Sequence, residues 1–368
     1  MAEVPKGFKP EDLQRLERVG FDAQGKMPRA GSFIVSDDKV LEAQQRERGV
    51  EILPLRMAIE KYHWVKDLVF SLVSTEDDEF TKAAAQKPPV GYFIHAFEGK
   101  KVAYPVQACF FLKTARFAQI VHNIVVVEPN AELHIITGCT TAHYVKQGMH
   151  VGITEYFVRE GGVLTYTMIH EWAPEVETYP RSAALVEKNG VFISNYIALT
   201  PVKMAQMDPK VHVKENAITR LYSILYGPKG SNLDVGGTAI LEGKGARAEI
   251  VSRAVSNGGR IITRGRIIGE AEAAKGHMEC DGLLLGNDGF IHAIPELKGV
   301  NPDVELSHEA AVGKIAQEEI DYLMSRGLDE DTARALIVRG FLDVQIKGLP
   351  ESLQKRIGLT IEQAAKGY

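Results

Sequence analysis

Residues 129–137 read PNAELHIIT, and the same texture returns in EGGVLTYTM (160–168), KNGVFISNY (188–196) and ENAITRLYS (215–223). Each is a small polar turn followed by a short alternating strand. The turn residues Asn130, Gly162, Gly190 and Asn216 lie 32, 28 and 26 residues apart. Further strands of this kind, such as KGSNLDVGG (229–237), KGARAEIVS (244–252), GGRIITRG (258–265) and NDGFIHAI (287–294), fall at about half that interval. Helical periodicity is scarce between residues 91 and 305, which excludes an ordinary βα alternation. A strand repeat of this regularity, with turns at the half period, predicts a β-solenoid whose coils each contribute two main strands. A β-sandwich also has short strands and frequent turns, but it does not require one turn signature to recur so often.

Outside this block the pattern is helical. In residues 53–73, LPLRMAIEKYHWVKDLVFSLV, the positions Ala58, Ile59, Tyr62, Val65, Val69 and Leu72 follow helical spacing. Asp12 is a candidate N-cap for a shorter helix carrying Leu13, Leu16 and Val19. Residues 74–91, STEDDEFTKAAAQKPPVG, read as a polar linker. Near the other end, LDEDTARALIVRGFLDV (328–344) predicts a helix capped by Asp329, with Ala333, Leu336, Ile337, Gly340, Phe341 and Val344 on one face, and Pro350 suits the first turn of a last short helix. The division expected is an N-terminal α+β region over 1–90, a mainly β solenoid core over 91–305 and a helical region over 306–368.

Composition narrows the function classes. The chain has 368 residues, a net charge of −5 and 45% apolar residues, an ordinary globular mix without the basic excess of a nucleic-acid binder. No apolar run approaches a membrane span, and residues 1–12 show no secretory pattern, so a cytoplasmic protein is expected. Cys109, Cys139 and Cys280 form no C-x-x-C pair and read as free thiols. The stretches LYGPKGSN (225–232) and LEGKGARA (241–248) lack the Gly-Lys-Ser/Thr ending of a P-loop; Gly-x-Ser-x-Gly and His-Glu-x-x-His are absent.

The coil period also pairs residues in space, because those one coil apart stack about 5 Å apart along the axis. Cys139 and His170 differ by 31 positions, Cys280 and Glu309 by 29. Both pairings are predicted, with His308 adjoining Glu309 where VELSHEAAVGKI (304–315) passes from strand pattern to helix pattern. A thiol, an imidazole and a carboxylate suit iron or zinc. The simpler reading of His308 and Glu309 is helix capping.

These stretches resemble a known family. HEAAVGKIAQEEIDYLMSRGLDEDTARALIVRGFLDV (308–344) is similar to the C-terminal signature of the SufB/SufD iron–sulfur cluster assembly scaffolds. IVVVEPNAELHIITGCTTAH (124–143), HVGITEYFV (150–158), TMIHEW (167–172) and CDGLLLG (280–286) match further family motifs in the same order. The resemblance covers about residue 100 onward and implies a right-handed parallel β-helix with terminal helical regions. It implies a dimer through the β-helix and docking of the ABC-type ATPase SufC on the C-terminal helices, with ATP handled only by that partner. It implies that Cys139 receives sulfur from a donor, that His170 and Trp172 line an internal route for it, and that Cys280, Glu309 and His308 hold a transient iron–sulfur cluster destined for apo-protein recipients. A SufD-type cysteine two residues before the histidine is replaced by Leu306. The form HEA is that of SufB, so an archaeal-type single subunit is expected to play both parts as a homodimer, Cys280 and Glu309 of one copy facing His308 of the other. A β-helix carbohydrate-active enzyme would need a carboxylate pair beside aromatic platforms, which two Trp and no recurring Asp pair do not supply. A catalytically silent solenoid that only anchors an ATPase is the remaining alternative.

Overall fold

The computed structural model describes residues 8–342 and 358–359. It is a β-solenoid of about eight turns with helices at both ends. One sheet stacks, in order, the strands Lys39–Gln45, Gly31–Ser36, Val106–Leu112, Glu132–Thr141, Val163–Glu171, Val191–Ala198, Ile218–Pro228, Arg247–Asn257, Lys275–Leu284 and Glu305–Lys314. From Gly31–Ser36 onward every pairing in it is parallel. The second sheet runs antiparallel to this order only at its start, where Val50–Pro54 pairs with Tyr92–Ala96, and continues in parallel to Phe290–Gly299.

One column of paired residues shows the coil repeat. Leu133, Leu164, Phe192, Thr219, Ala248, Gly276 and Leu306 stack in turn, and the interval between successive members is not constant. The turns form a ladder of their own. Gly99, Asn130, Gly161, Asn189, Asn216, Gly245 and Ala273 all have positive φ, the left-handed conformation that Gly and Asn adopt most readily. Each amide in this series donates to a carbonyl of the next coil's turn, from Gly99 N–H to Pro129 O through Ala273 N–H to Asp303 O. The crowding is tight: a Cβ on Gly161 would lie 2.6 Å from Oδ1 of Asn130.

Alternation divides each strand between two environments. Leu133, Ile135 and Cys139 point into the solenoid with Leu164, Tyr166, Phe192, Tyr196, Met278 and Cys280. Ile136, Ile169, Ile197, Ile224 and Val255 face outward and are covered by Val19 at one end and by Val338 and Leu342 at the other.

Six helices are described: α1 (Pro10–Arg18), α2 (Leu55–Lys61), α3 (His63–Leu68), α4 (Glu79–Ala85), α5 (Gln317–Ser325) and α6 (Glu330–Leu342). Several differ from the sequence expectation. Lys9 is the N-cap of α1, because Pro10 takes the first helical position; Asp12 lies at the third position and accepts the Lys9 amide instead. The single helix expected over 53–73 breaks at Tyr62, which is extended, into α2 and α3. The expected linker contains α4, capped by Asp78, whose carboxylate accepts the Phe80 and Thr81 amides at 2.9 Å. Asp329 does cap α6, accepting the Thr332 amide at 2.9 Å. The helix buries Ala333, Ala335, Val338 and Leu342, leaving Leu336 48% exposed. The expected contributions of Val344 and Pro350 lie outside the described residues.

Between α3 and α4 the chain is pinned to the second sheet by one buried carboxylate. Glu155 accepts the amides of Phe70, Leu72 and Val73 at 2.7, 2.6 and 3.2 Å, and pairs with His122 Nε2 at 2.8 Å. A buried carboxylate needs that number of donors to offset its lost hydration.

Candidate functional site inside the solenoid

Cys139 and His170 are direct register partners, as their spacing in the sequence predicts. Both side chains are buried, 1% and 3% exposed. They share the inner face with His150 and Trp172: the His150 and Trp172 rings lie 5.1 Å apart, and those of His170 and Trp172 5.5 Å apart. His150 Nδ1 bonds Gln119 Oε1 at 2.8 Å, and His170 Nδ1 bonds the Tyr196 hydroxyl at 3.1 Å. His170 Nε2 and Trp172 Nε1 are buried without a partner. A cavity of about 20 Å³, room for one water-sized molecule, is lined by Phe110, Thr137, Cys139, His150, Tyr156 and Tyr166 among others.

Burial sets the charge states here. It pushes the Cys139 thiol well above its ordinary value, with a further rise from neighbouring Cys109. It lowers His150 to about 3 and His170 well below the ordinary imidazole value, the latter also through His150. Both imidazoles are therefore neutral at physiological pH, and Cys139 is a thiol.

From His170 a line of inward polar groups continues along the axis. Tyr196 stacks on Ser223, Ser223 Oγ donates to Ser252 Oγ at 3.0 Å, and Ser252 stacks on Cys280. Cys139 and Cys280 thus lie on one sheet, five strand spacings or roughly 24 Å apart, with hydroxyl and imidazole groups on the strands between them. Tyr196, Ser223 and Ser252 escaped the sequence reading. Stepping back from Cys280 one coil at a time, to Ser252, Ser223 and Tyr196, finds all three.

At the far end the register differs from expectation by one residue. The last coil is one residue longer than the separation of Cys280 and Glu309, so Cys280 stacks on Ala310 and Glu279 on Glu309. His308 pairs with Met278, which faces inward like Cys280. Within one chain, Cys280 and His308 share the inner face, while Glu309 lies outside beside Glu279. There Arg253 bridges Glu279 and, at 2.8 Å, Asp281. The capping reading also fails: Glu305–Lys314 is a strand throughout and α5 begins only at Gln317. His308 Nε2 is buried and has no partner; Glu309 is exposed. Cys280 is 1% exposed, and burial, with Asp281 adding to it, pushes its thiol up to about 11. Among the described residues no three His, Cys, Asp or Glu side chains gather closely enough to hold a metal ion.

The parallel β-helix carries cysteine and histidine on its inner face, and its last described coil holds an unpartnered imidazole. A profile described as SUF system FeS cluster assembly, SufBD core domain, matches residues 110–341. The chain is 48% identical over 355 residues to an iron–sulfur cluster assembly SufBD family protein of Archaeoglobus fulgidus, covering 96% of this chain and 95% of that one. It is 33% identical over 364 residues to a SufBD family protein of Pyrococcus horikoshii, covering 97% and 82%. It is 31% identical over 294 residues to the iron–sulfur cluster assembly protein SufB of Bacillus subtilis, covering 78% and 62%. The chain belongs to the SufBD family of iron–sulfur cluster assembly proteins. No described helix is long and apolar enough to cross a membrane.

The raised thiol values predict a pH profile. A buried thiol disfavours its charged form, so the thiolate that reacts with alkylating agents is scarce until pH approaches the folded value. Iodoacetamide labelling of native Cys280 should climb toward pH 11. A midpoint near 8.5, about the value of a free cysteine, would contradict this account.

Proposed function

We propose that this chain is the scaffold on which an iron–sulfur cluster is built, acting in the cytoplasm as a homodimer with a SufC-like ABC-type ATPase. The observation that carries this reading is the polar line from Cys139 through His170, Tyr196, Ser223 and Ser252 to Cys280. It sets polar groups on the inner faces of successive strands, with Ser223 only partly buried, between a thiol suited to receive sulfur and one suited to hold iron. In the first step the Cys139 thiolate attacks the outer sulfur of a donor's persulfide. A new S–S bond forms at Cys139, the donor leaves as a thiolate, and no electrons are exchanged. His170, on the strand paired with that of Cys139, has its Nε2 buried without a partner, and burial holds the imidazole neutral, so it takes the Cys139 proton only once the site opens to water. Trp172 Nε1–H, buried without a partner, is a donor for the anionic terminal sulfur.

The cluster, which is cargo, is assigned to Cys280, His308 and Glu309, with mixed S, N and O ligation weaker than an all-thiolate set and so suited to release to apo-proteins. One chain does not gather these groups, which favours a site shared by two copies. The terminal strands Phe290–Gly299 and Glu305–Lys314 have no further strand beyond them among the described residues. Phe290, Leu297, Val300 and Val312 are exposed there. An uncovered edge of that length calls for a partner, and a two-fold axis through it brings each copy's patch against its equivalent. The register favours Cys280 and His308 from one copy and Glu309 from its mate. The lack of a three-ligand group within one chain also favours the competing reading, an adaptor that carries no cluster.

Anaerobic reconstitution with iron and sulfide separates the two. The scaffold gains visible absorbance and labile sulfide, and Cys280→Ala and His308→Ala each lose both while remaining dimeric. Cys139→Ser keeps its fold but loses persulfide loading from a donor protein, read by mass spectrometry. No chromophore in the native chain would leave the adaptor.

The ATPase is assigned to α5 and α6, where Tyr322, Met324 and Leu336 are exposed. A charge placed on this apolar surface by Leu336→Glu should abolish co-purification with a SufC-like ATPase without disturbing the solenoid. Binding that survives deletion of residues 316–368 would place the docking site elsewhere.

A further inference from the structure

Cys139 is sealed, so a donor protein cannot reach it in the conformation seen. The element that seals its strand end is α1. Three α1 side chains, those of Asp12, Arg15 and Arg18, reach the two coils that carry Cys139 and His170. Asp12 Oδ1 accepts the His143 amide at 2.8 Å and His143 Nδ1–H at 2.9 Å. Arg15 Nη1 donates to Thr141 Oγ1 at 3.3 Å. Arg18 grips Glu171, next to His170, through Nε at 2.8 and 2.9 Å and Nη2 at 2.6 Å. Lys9 lies 5.8 Å above the Tyr144 ring.

Apolar contacts follow the same pattern. Leu16 and Phe21 pack with Ala142 and Val145 of the turn that follows the Cys139 strand, and with Cys109 on the outer face of the neighbouring strand. Val19 lies over Gly138, where any side chain would collide with it. The turn at 142–146 is thus held from outside by α1 and the segment just after it, and along the solenoid by Ala142 N–H to Leu112 O and Glu175 N–H to Lys146 O. Arg18 itself is exposed, so its ion pair with Glu171 is open to competition from another protein's charges. An isolated helix this short is unstable in water, so α1 persists through these contacts and is lost with them.

We propose that α1 is a displaceable cover: its release frees the turn at 142–146 and opens Cys139 to the sulfur donor. The assignment of purpose rests on the reading of Cys139 as acceptor; the movement is testable without sulfur chemistry. The three cysteines supply the test. Cys109 lies directly beneath α1 on the outer face, Cys139 lies on the inner face of the strand that runs into the turn, and Cys280 lies five strand spacings from Cys139 on the same sheet.

N-ethylmaleimide labelling of the full chain is followed at each cysteine by peptide mass. Arg18→Glu and Asp12→Ala should each speed Cys109 and Cys139 by about tenfold or more, the effect of losing a charge-assisted hydrogen bond on a local opening, with Cys280 unchanged. Arg18→Lys should stay near the native rate. Acceleration of Cys109 alone means that α1 lifts without uncovering Cys139, and overturns the proposal. So does no acceleration, or equal acceleration of all three, which is global opening. If Arg18→Glu loses its strand signal by circular dichroism, the milder Asp12→Ala decides. Should Cys139 open as expected while Cys139→Ser still loads persulfide, the cover stands and the acceptor assignment falls.

Discussion

The parallel register of the first sheet is the constraint on which everything else depends. Once Leu133 sits on Leu164 and Leu164 on Phe192, the inward or outward direction of every later side chain follows from alternation. A slip of one residue would turn Cys139 out of the core and Ile136 into it. Two features hold the register: the ladder of left-handed turns, which fixes where each coil begins, and the apolar columns, which would be exposed by a slip.

That same constraint builds the chemistry. Coil stacking lines up His170, Tyr196, Ser223 and Ser252 between two thiols in a space walled by apolar side chains. It also withholds reactivity. Burial keeps Cys139 protonated and His170 neutral, and a thiol is a poor nucleophile until it ionises. A sealed thiol is protected from oxidation and from stray metal, and on the proposed reading of Cys139 as acceptor it must be opened to be used. A helix as short as α1, whose Arg18–Glu171 pair lies at the surface, is a place where that opening can start.

The fold was legible because the turns need Asn and Gly for a physical reason, and that need repeats once per coil. The marks taken from the sequence, Gly162 and Gly190, sit one residue past the left-handed positions Gly161 and Asn189. The Cys139–His170 pairing followed directly. The Cys280–Glu309 pairing did not, because the coils differ in length and an error of one reverses a side chain. The helical ends were harder. Proline at position 10 moved a cap, and α4 hid in a polar stretch whose Asp78 cap was not weighed. The contacts of α1 with the Cys139 and His170 coils, Asp12 to His143 and Arg18 to Glu171, carry no periodic signal and emerge only when helix and sheet are placed together.

The central claim is that the cluster site is completed by two copies joined at the open coil. Heterodimers purified with two tags, one copy Cys280→Ala and the other Glu309→Gln, test it most directly after anaerobic reconstitution. One cluster site carries both lesions and the other none, so the account predicts one cluster per heterodimer, while a Cys280→Ala copy paired with a His308→Ala copy gives none. Absence of a cluster in the first heterodimer would contradict a site built across two copies in this way.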